Sequence, residues 1–336
     1  MSGPELKIVI VGRNGQLAWE LRQVLASLGS VRCVGRPELD LTDLNSVRTG
    51  IGRLRPGVLV NAAAYTAVDQ AESEPEAAMK ANAEAPRVLA EEAKKLGALF
   101  ITYSSDYVFD GGKATPYLES DAPNPLNEYG ASKLAGDHAV EAVGGAYLIF
   151  RTSWVYGLRG KNFLNTILKL ASEREELRVV DDQFGAPTWS REVARATRQI
   201  IEHLAAETSL PVGGPLAETL GARCGIYNMT AGGSVSWHGF ATAIVEEAGK
   251  RRMSQGRLAR IVPIPANQYP TPARRPQNSR LSNEKLLRMF GVSLPSWRES
   301  LACVMRDIAE QREAMCDGKR SERNVETADA KERERA

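Results

Sequence analysis

The chain has 336 residues, 43% of them hydrophobic, with 43 lysines and arginines against 41 aspartates and glutamates. That length fills one large domain or two unequal ones, and the balanced charge excludes the one-signed field of a nucleic-acid or membrane-surface binder. Cys33, Cys224, Cys303 and Cys316 lack metal-ligand spacing, and no long apolar run or signal peptide precedes the first strand, so free thiols in a reducing, cytoplasmic compartment are expected.

Leu6 to Val11 reads as a buried strand running directly into Gly12-Arg13-Asn14-Gly15-Gln16-Leu17, followed by helical spacing through Leu28 and a stop at Gly29. Strand, glycine turn and helix in that order form a dinucleotide-binding opening. The glycines let a pyrophosphate approach the backbone, and the helix N-terminus offers free N–H groups. Gly12 and Gly15 are present, and Ala18 stands where a third glycine would close helix on strand. An ordinary strand-to-helix turn would also use these glycines. Val31 to Val34 is the second strand, and Gly35 and Arg36 follow it where an acidic residue would hold an adenosine 2′-hydroxyl. An arginine there binds a 2′-phosphate, which favours NADPH over NADH; a plain surface charge is the other reading. Asp40 and Leu41 suit an adenine edge contact.

A helix is expected over 44–54 and a strand over Val58 to Asn61, after which Ala62, Ala63, Ala64, Tyr65 and Thr66 offer small side chains for a cofactor to lie against, or simply a tight alanine turn. A helix over 75–96, a strand from Leu99 to Tyr103, a helix over 129–143 and a strand from Tyr147 to Phe150 complete the alternation. The pattern predicts an α/β fold, a Rossmann-type doubly wound parallel sheet whose strand ends share one ligand-binding rim. A smaller α/β C-terminal domain for the substrate follows. We expect the cofactor domain over 1–153 with strands added from later residues, the substrate region over 154–316, and a disordered charged tail over 317–336.

The run Glu128-Tyr129-Gly130-Ala131-Ser132-Lys133 is the most informative. Four residues is just over one helical turn, so Tyr129 and Lys133 share a face, where an ammonium would lower the pKa of a phenol. A solvated helix pair is the commoner meaning of that spacing. Ser105, at the end of the fourth strand, would complete a Ser-Tyr-Lys constellation in which one hydroxyl aligns a carbonyl and the other protonates it.

These motifs together resemble the extended short-chain dehydrogenase/reductases, and within them the dTDP-4-dehydrorhamnose reductase family. The resemblance spans about residues 7 to 310, through Asn61 to Asp69, Tyr103 to Gly111, Pro125-Leu126-Asn127, Phe150 to Gly157, Asp182 to Thr188 and Tyr269 to Pro276. It implies an NADPH-dependent reduction of dTDP-4-dehydro-L-rhamnose, the last step of dTDP-rhamnose synthesis, with NADH as the alternative cofactor. Tyr129 would be the general acid, Lys133 would hold the nicotinamide ribose, and Ser105 would orient the keto group. Asp106, Tyr107 and Trp154 would meet the sugar. Gly15, Gln16, Leu17, Asp40, Leu41, Ala64, Tyr65, Thr66 and Tyr103 fall where the family binds its dinucleotide.

On the substrate side, the guanidinium fork of Arg275 suits a diphosphate or a surface salt bridge, and Asn162 could approach the thymine base. Some members of the family dimerise around Mg²⁺ held by glutamates; Glu20 occupies one matching position, but Arg191 and Arg298 stand at the others. Arginine cannot ligate a cation, so no metal is expected, and monomer and homodimer both stay open. The Pro/Gly-rich insertion over 205–223 is expected to be a mobile surface segment. His138, His203 and His238 share no spacing and read as ordinary helix residues. Two rivals stay open: a non-catalytic NADP-binding regulatory subunit, and another sugar-nucleotide reductase or epimerase. A 4,6-dehydratase is disfavoured, because an acidic pair is expected where this chain has Asp106-Tyr107.

Overall fold

Five strands form in the first half of the chain: β1 (Leu6–Val11), β2 (Gly29–Val34), β3 (Val58–Asn61), β4 (Leu99–Ser105) and β5 (Tyr147–Thr152). The computed structural model describes residues 6–207, 216–253 and 256–311; Cys316, the 317–336 tail and the middle of the 205–223 insertion lie outside them. A short strand from far along the chain, Gly225–Asn228, joins the sheet beside β5, giving the order Gly225–Asn228, β5, β4, β3, β1, β2. Every pairing in it is parallel. The first strand shows why. Ile8 and Ile10 enter one core layer with Leu21, Leu25 and Ile200, while Val9 and Val11 enter the opposite layer with Val47, Val88 and Leu89. Both faces are therefore covered, and each such side chain contributes about 1.5–3 kcal/mol on burial. The α/β doubly wound sheet expected from the sequence is the fold.

Three expected elements differ in detail. The first helix is Gln16–Leu25, and Gly29 opens β2 instead of closing the helix. The helix expected over 75–96 is Pro75–Met79, then a wide π turn over Lys80–Glu84, then Ala85–Leu96. The neighbouring Glu128–Val143 helix crosses there so closely that a Cβ on Gly136 would lie 2.0 Å from the Asn82 carbonyl oxygen. The widened turn accommodates that crossing and leaves Asn82 buried. The described ends of the 205–223 insertion are structured, not loose: Ser190–Glu207 is helical to its end, Leu216–Leu220 is a helix, and Arg223 forks onto Glu207 at 2.9 and 2.6 Å.

Beyond β5 the chain builds a second apolar core around Tyr156, Leu164, Trp189, Phe240, Ile244 and Trp297. Its strands are short pairs: Glu176–Val180 with Arg260–Ile264, Val155–Tyr156 with Thr188–Trp189, and Phe184–Gly185 with Val235–Ser236. The Ser190–Glu207 helix returns to pack on Gln16–Leu25, so a late segment covers one face of the central sheet. Among the described residues no helix is long and apolar enough to cross a membrane.

Candidate active site

All seven residues of β4 are buried, so the strand delivers Ser104 and Ser105 to the carboxyl rim on a rigid support. Ser105 Oγ accepts from the Tyr107 N–H at 3.1 Å, which turns the chain into the one-turn helix Asp106–Val108, and it donates to Asp106 Oδ1 at 3.0 Å. Opposite it, Asn127 caps the Glu128–Val143 helix, its Oδ1 accepting from the Gly130 N–H at 2.8 Å. That cap fixes Tyr129 in the first turn and Lys133 one turn later. The Tyr129 phenol is a hydrogen-bonding neighbour of Ser105, and the Tyr107 ring meets its ring edge-on at 5.6 Å between centroids. The sequence-predicted Ser105, Tyr129 and Lys133 are thus brought together.

The electrostatics correct one expectation. Burial pushes the Tyr129 phenol up to about 12, with the Ser105 hydrogen bond only partly opposing it. The ammonium does not lower it, because Lys133 Nζ donates instead to the Tyr103 carbonyl at 2.7 Å. Burial also depresses Lys133 to about 8, opposed by the carboxylate of Asp137 one further turn along. Asp137 and the β5 residue Arg151, each 3% exposed, form an ion pair at 3.1 Å. Burial raises Asp137 against the pull of Arg151. Asp106 is pushed up to about 6 by burial, against hydrogen bonding from the hydroxyls of Ser279, Ser105 and Ser153. The corner therefore holds a protonated phenol beside a buried chain of alternating charge, Lys133, Asp137 and Arg151. Asp137 was missed in the sequence although it continues the four-residue step from Tyr129 and Lys133. Arg151 carried no such signal.

Along the cofactor side of the rim, Gly12 takes φ +122°, and a Cβ there would lie 3.2 Å from the Ala62 backbone carbon. Arg13, Asn14 and Gly15 are exposed, and Gly15 caps the Gln16–Leu25 helix with no side-chain hydrogen bond, so the first-turn N–H groups face outward. Such a cradle fits a pyrophosphate. Gln16 and Leu17 are half-buried, with Gln16 Nε2 donating to the Val155 carbonyl at 3.2 Å. Gly35 lies against Arg13, Arg36 is exposed, and Asp40 Oδ1 accepts from the Thr42 N–H and hydroxyl at 2.9 and 2.8 Å, with Leu41 beside it. After β3, Ala63, Ala64, Tyr65 and Thr66 line the open rim. Asn82, on the π turn, holds that loop: its Oδ1 accepts from the Tyr65 N–H at 2.9 Å and its Nδ2 donates to the Tyr65 carbonyl at 3.0 Å. Asn82 was not anticipated, since a π turn leaves no sequence signature. The Tyr103 side chain turns into the core, its hydroxyl 2.8 Å from Thr197 Oγ1, so its link to the site is the carbonyl that receives Lys133.

The substrate-side residues are placed by loops. Trp154 has φ +47° and stacks on Trp237 with centroids 3.4 Å apart and planes 6° off parallel. Asn162 caps the Phe163–Glu173 helix through Oδ1, while its Nδ2 donates to the Gly157 carbonyl at 2.9 Å, which engages both ends of its amide. Arg275 is forked onto Asp69 at 3.0 and 2.8 Å, so the salt bridge that the sequence left open is the one formed. Glu20 is paired to Arg191 at 3.0 Å, and among the described residues no group of three or more His, Cys, Asp or Glu gathers as a metal site.

A doubly wound sheet with Ser, Tyr and Lys gathered at one strand end places the protein among the extended short-chain dehydrogenase/reductases. The family model described as RmlD substrate binding domain matches residues 6–310. The chain is 48% identical over 311 residues to a dTDP-4-dehydrorhamnose reductase from Burkholderia thailandensis, covering 91% of this chain and 100% of that one. It is 41% identical to one from Shigella flexneri, over 90% of this chain and 98% of the relative. A solved dTDP-4-dehydrorhamnose reductase from Bacillus anthracis in complex with NADP superposes with a TM-score of 0.79 at 33% identity, covering 91% of this chain and 100% of that one. The chain belongs to this family, that of the dTDP-4-dehydrorhamnose reductases.

Proposed function

We propose that the protein reduces the 4-keto group of dTDP-4-dehydro-L-rhamnose to give dTDP-L-rhamnose, using NADPH. The Gly12 turn, the outward-facing N–H groups after Gly15 and the neighbouring Arg13 and Arg36 fit a phosphorylated dinucleotide. When bound, NADPH supplies the hydride that reaches C4. The chain's own residues handle the oxygen. Ser105, released from Asp106, donates to the keto oxygen and polarises it. Tyr129 gives its phenolic proton to that oxygen as the C–O bond becomes an alcohol, and the phenol regains a proton from solvent. A phenol held at about 12 is fully protonated at neutral pH, the form a general acid requires. Lys133, one turn along the helix, would hold the nicotinamide ribose, and Asp137 helps keep its ammonium charged in the low-dielectric interior.

The observation that carries this reading is the placement of a protonated Tyr129 against Ser105, one helical turn from Lys133. The test is NADPH oxidation by the purified protein with dTDP-4-dehydro-L-rhamnose. Turnover is expected, and Tyr129→Phe should lower kcat by about 10²–10⁴-fold while leaving NADPH affinity nearly unchanged. NADPH binding without turnover of any 4-keto nucleotide sugar would overturn the proposal in favour of a regulatory subunit.

A further inference from the structure

Tyr107 meets both hydroxyl-bearing members of the catalytic corner. Its N–H donates to Ser105 Oγ at 3.1 Å, and its ring lies edge-on to the Tyr129 ring, 5.6 Å between centroids and 78° between planes. Its carbonyl marks where the Glu128–Val143 helix crosses the turn. A Cβ on Gly130 would lie 2.2 Å from that oxygen and 3.0 Å from Pro125 Cβ. Gly130 directly follows Tyr129, so only a residue without a side chain lets the helix start this close to the turn. One residue thus touches the hydroxyl that orients the ketone, the backbone beside the phenol and the phenol's own ring.

The family resemblance would set Tyr107 against the sugar, but two features give it different work. Its hydroxyl has the Arg275 guanidinium as a hydrogen-bonding neighbour, and that guanidinium is forked onto Asp69 at 3.0 and 2.8 Å, so the polar tip of the ring is already tethered. The turn that carries the ring is fixed as well. The Phe109 N–H donates to the Asp106 carbonyl at 3.1 Å, and the Val108 carbonyl accepts from the Asn124 N–H at 2.9 Å. Val108 and Phe109 are buried in a small apolar cluster with Tyr117 and Leu281. A ring held at its base and at its tip is a fixed prop, and an edge-on contact restrains the ring it meets.

We infer that Tyr107 is a positioning residue: by propping the Tyr129 ring and tying Ser105 to the same turn, it sets the spacing at which the two hydroxyls meet the ketone. This rests on the reductase reading above. A misplacement of about 1 Å in such a pair costs about 100-fold in rate. The test is steady-state reduction of dTDP-4-dehydro-L-rhamnose by the full chain carrying Tyr107→Met, which fills the volume without a ring, or Tyr107→Phe, which keeps the ring. Tyr107→Met should lower kcat by about 10- to 100-fold, with KM for the sugar and for NADPH within about twofold. Tyr107→Phe should restore kcat to within about threefold of the unmodified protein. Should Tyr107→Met fail to fold, Gly130→Ala reads the same joint from the helix side, with a similar fall in kcat expected while NADPH still binds. A raised KM at unchanged kcat in Tyr107→Met would make the residue a sugar contact and overturn the inference. Equal losses in Tyr107→Met and Tyr107→Phe, or an unchanged kcat in Gly130→Ala, would also overturn it while leaving the reductase reading intact. An unmodified protein that does not turn over the sugar would overturn that reading and this inference with it.

Discussion

The catalytic corner and the substrate wall are built by different means. Ser105, Tyr129 and Lys133 stand on a fully buried strand and a capped sixteen-residue helix, and their charges are arranged by Asp137 and Arg151 behind them. The wall uses two-residue strands, turns and single long-range tethers: Trp154 in a left-handed conformation, Asn162 reaching the Gly157 carbonyl, Arg275 forked onto Asp69 across 206 positions of sequence. The corner is rigid because its supports also form the main core. The wall packs against the second core instead, Trp154 on Trp237 and Asn162 at the head of Phe163–Glu173, so its contacts are separate from those that hold the sheet.

Breaking the corner should therefore cost the whole protein, and breaking the wall should cost little beyond binding. Asp137→Leu leaves Arg151, 3% exposed, as an unpaired buried cation, so denaturant unfolding should show a loss of about 3–5 kcal/mol. A loss under about 1 kcal/mol would mean that the corner is not held by this pair.

The next effect is on rate. Lys133 is depressed to about 8, so its positive charge is present below that pH and lost as pH rises through it. The expected result is a fall in kcat/KM above about pH 8, roughly tenfold per unit, while Tyr129 stays protonated. Lys133→Arg keeps the charge and should move that limb upward; a limb that stays in place belongs to another group.

Asn82→Ala comes third. It removes the bonds to Tyr65 and the one to Ser132 Oγ at 2.9 Å, with an expected loss of about 1–3 kcal/mol in stability. NADPH affinity should fall with it, since the loop after β3 is released. Asn162→Ala, on the wall, should be smallest, about 1 kcal/mol from the lost helix cap, read by thermal unfolding. If Asn162→Ala instead proved as damaging as Asp137→Leu, the contrast between corner and wall would collapse.

What the sequence revealed follows the same division. β1 to β5 were legible because strands covered on both faces are continuous apolar runs, and Tyr129 with Lys133 because helical spacing is local. Gly225–Asn228 was not, since four residues without alternation join a sheet only by packing beside a strand formed far earlier. Arg151 was invisible for a related reason: its partner is set by the register that lays Ser104 beside it and by the helix above. The pKa of Tyr129 went the opposite way from the local expectation because burial, a tertiary property, raises it, while the Lys133 ammonium is spent on the Tyr103 carbonyl. On the wall, the sequence marked Arg275 for either a diphosphate or a salt bridge, and only Asp69, brought close by the fold, shows its fork engaged.

The most direct test of the central claim is a single turnover of dTDP-4-dehydro-L-rhamnose with NADPH deuterated on its transferring carbon. Deuterium at C4 of dTDP-L-rhamnose is expected, with the new hydroxyl proton drawn from solvent and the transfer nearly lost in Tyr129→Phe. Deuterium at another carbon, or full transfer by Tyr129→Phe, would contradict it.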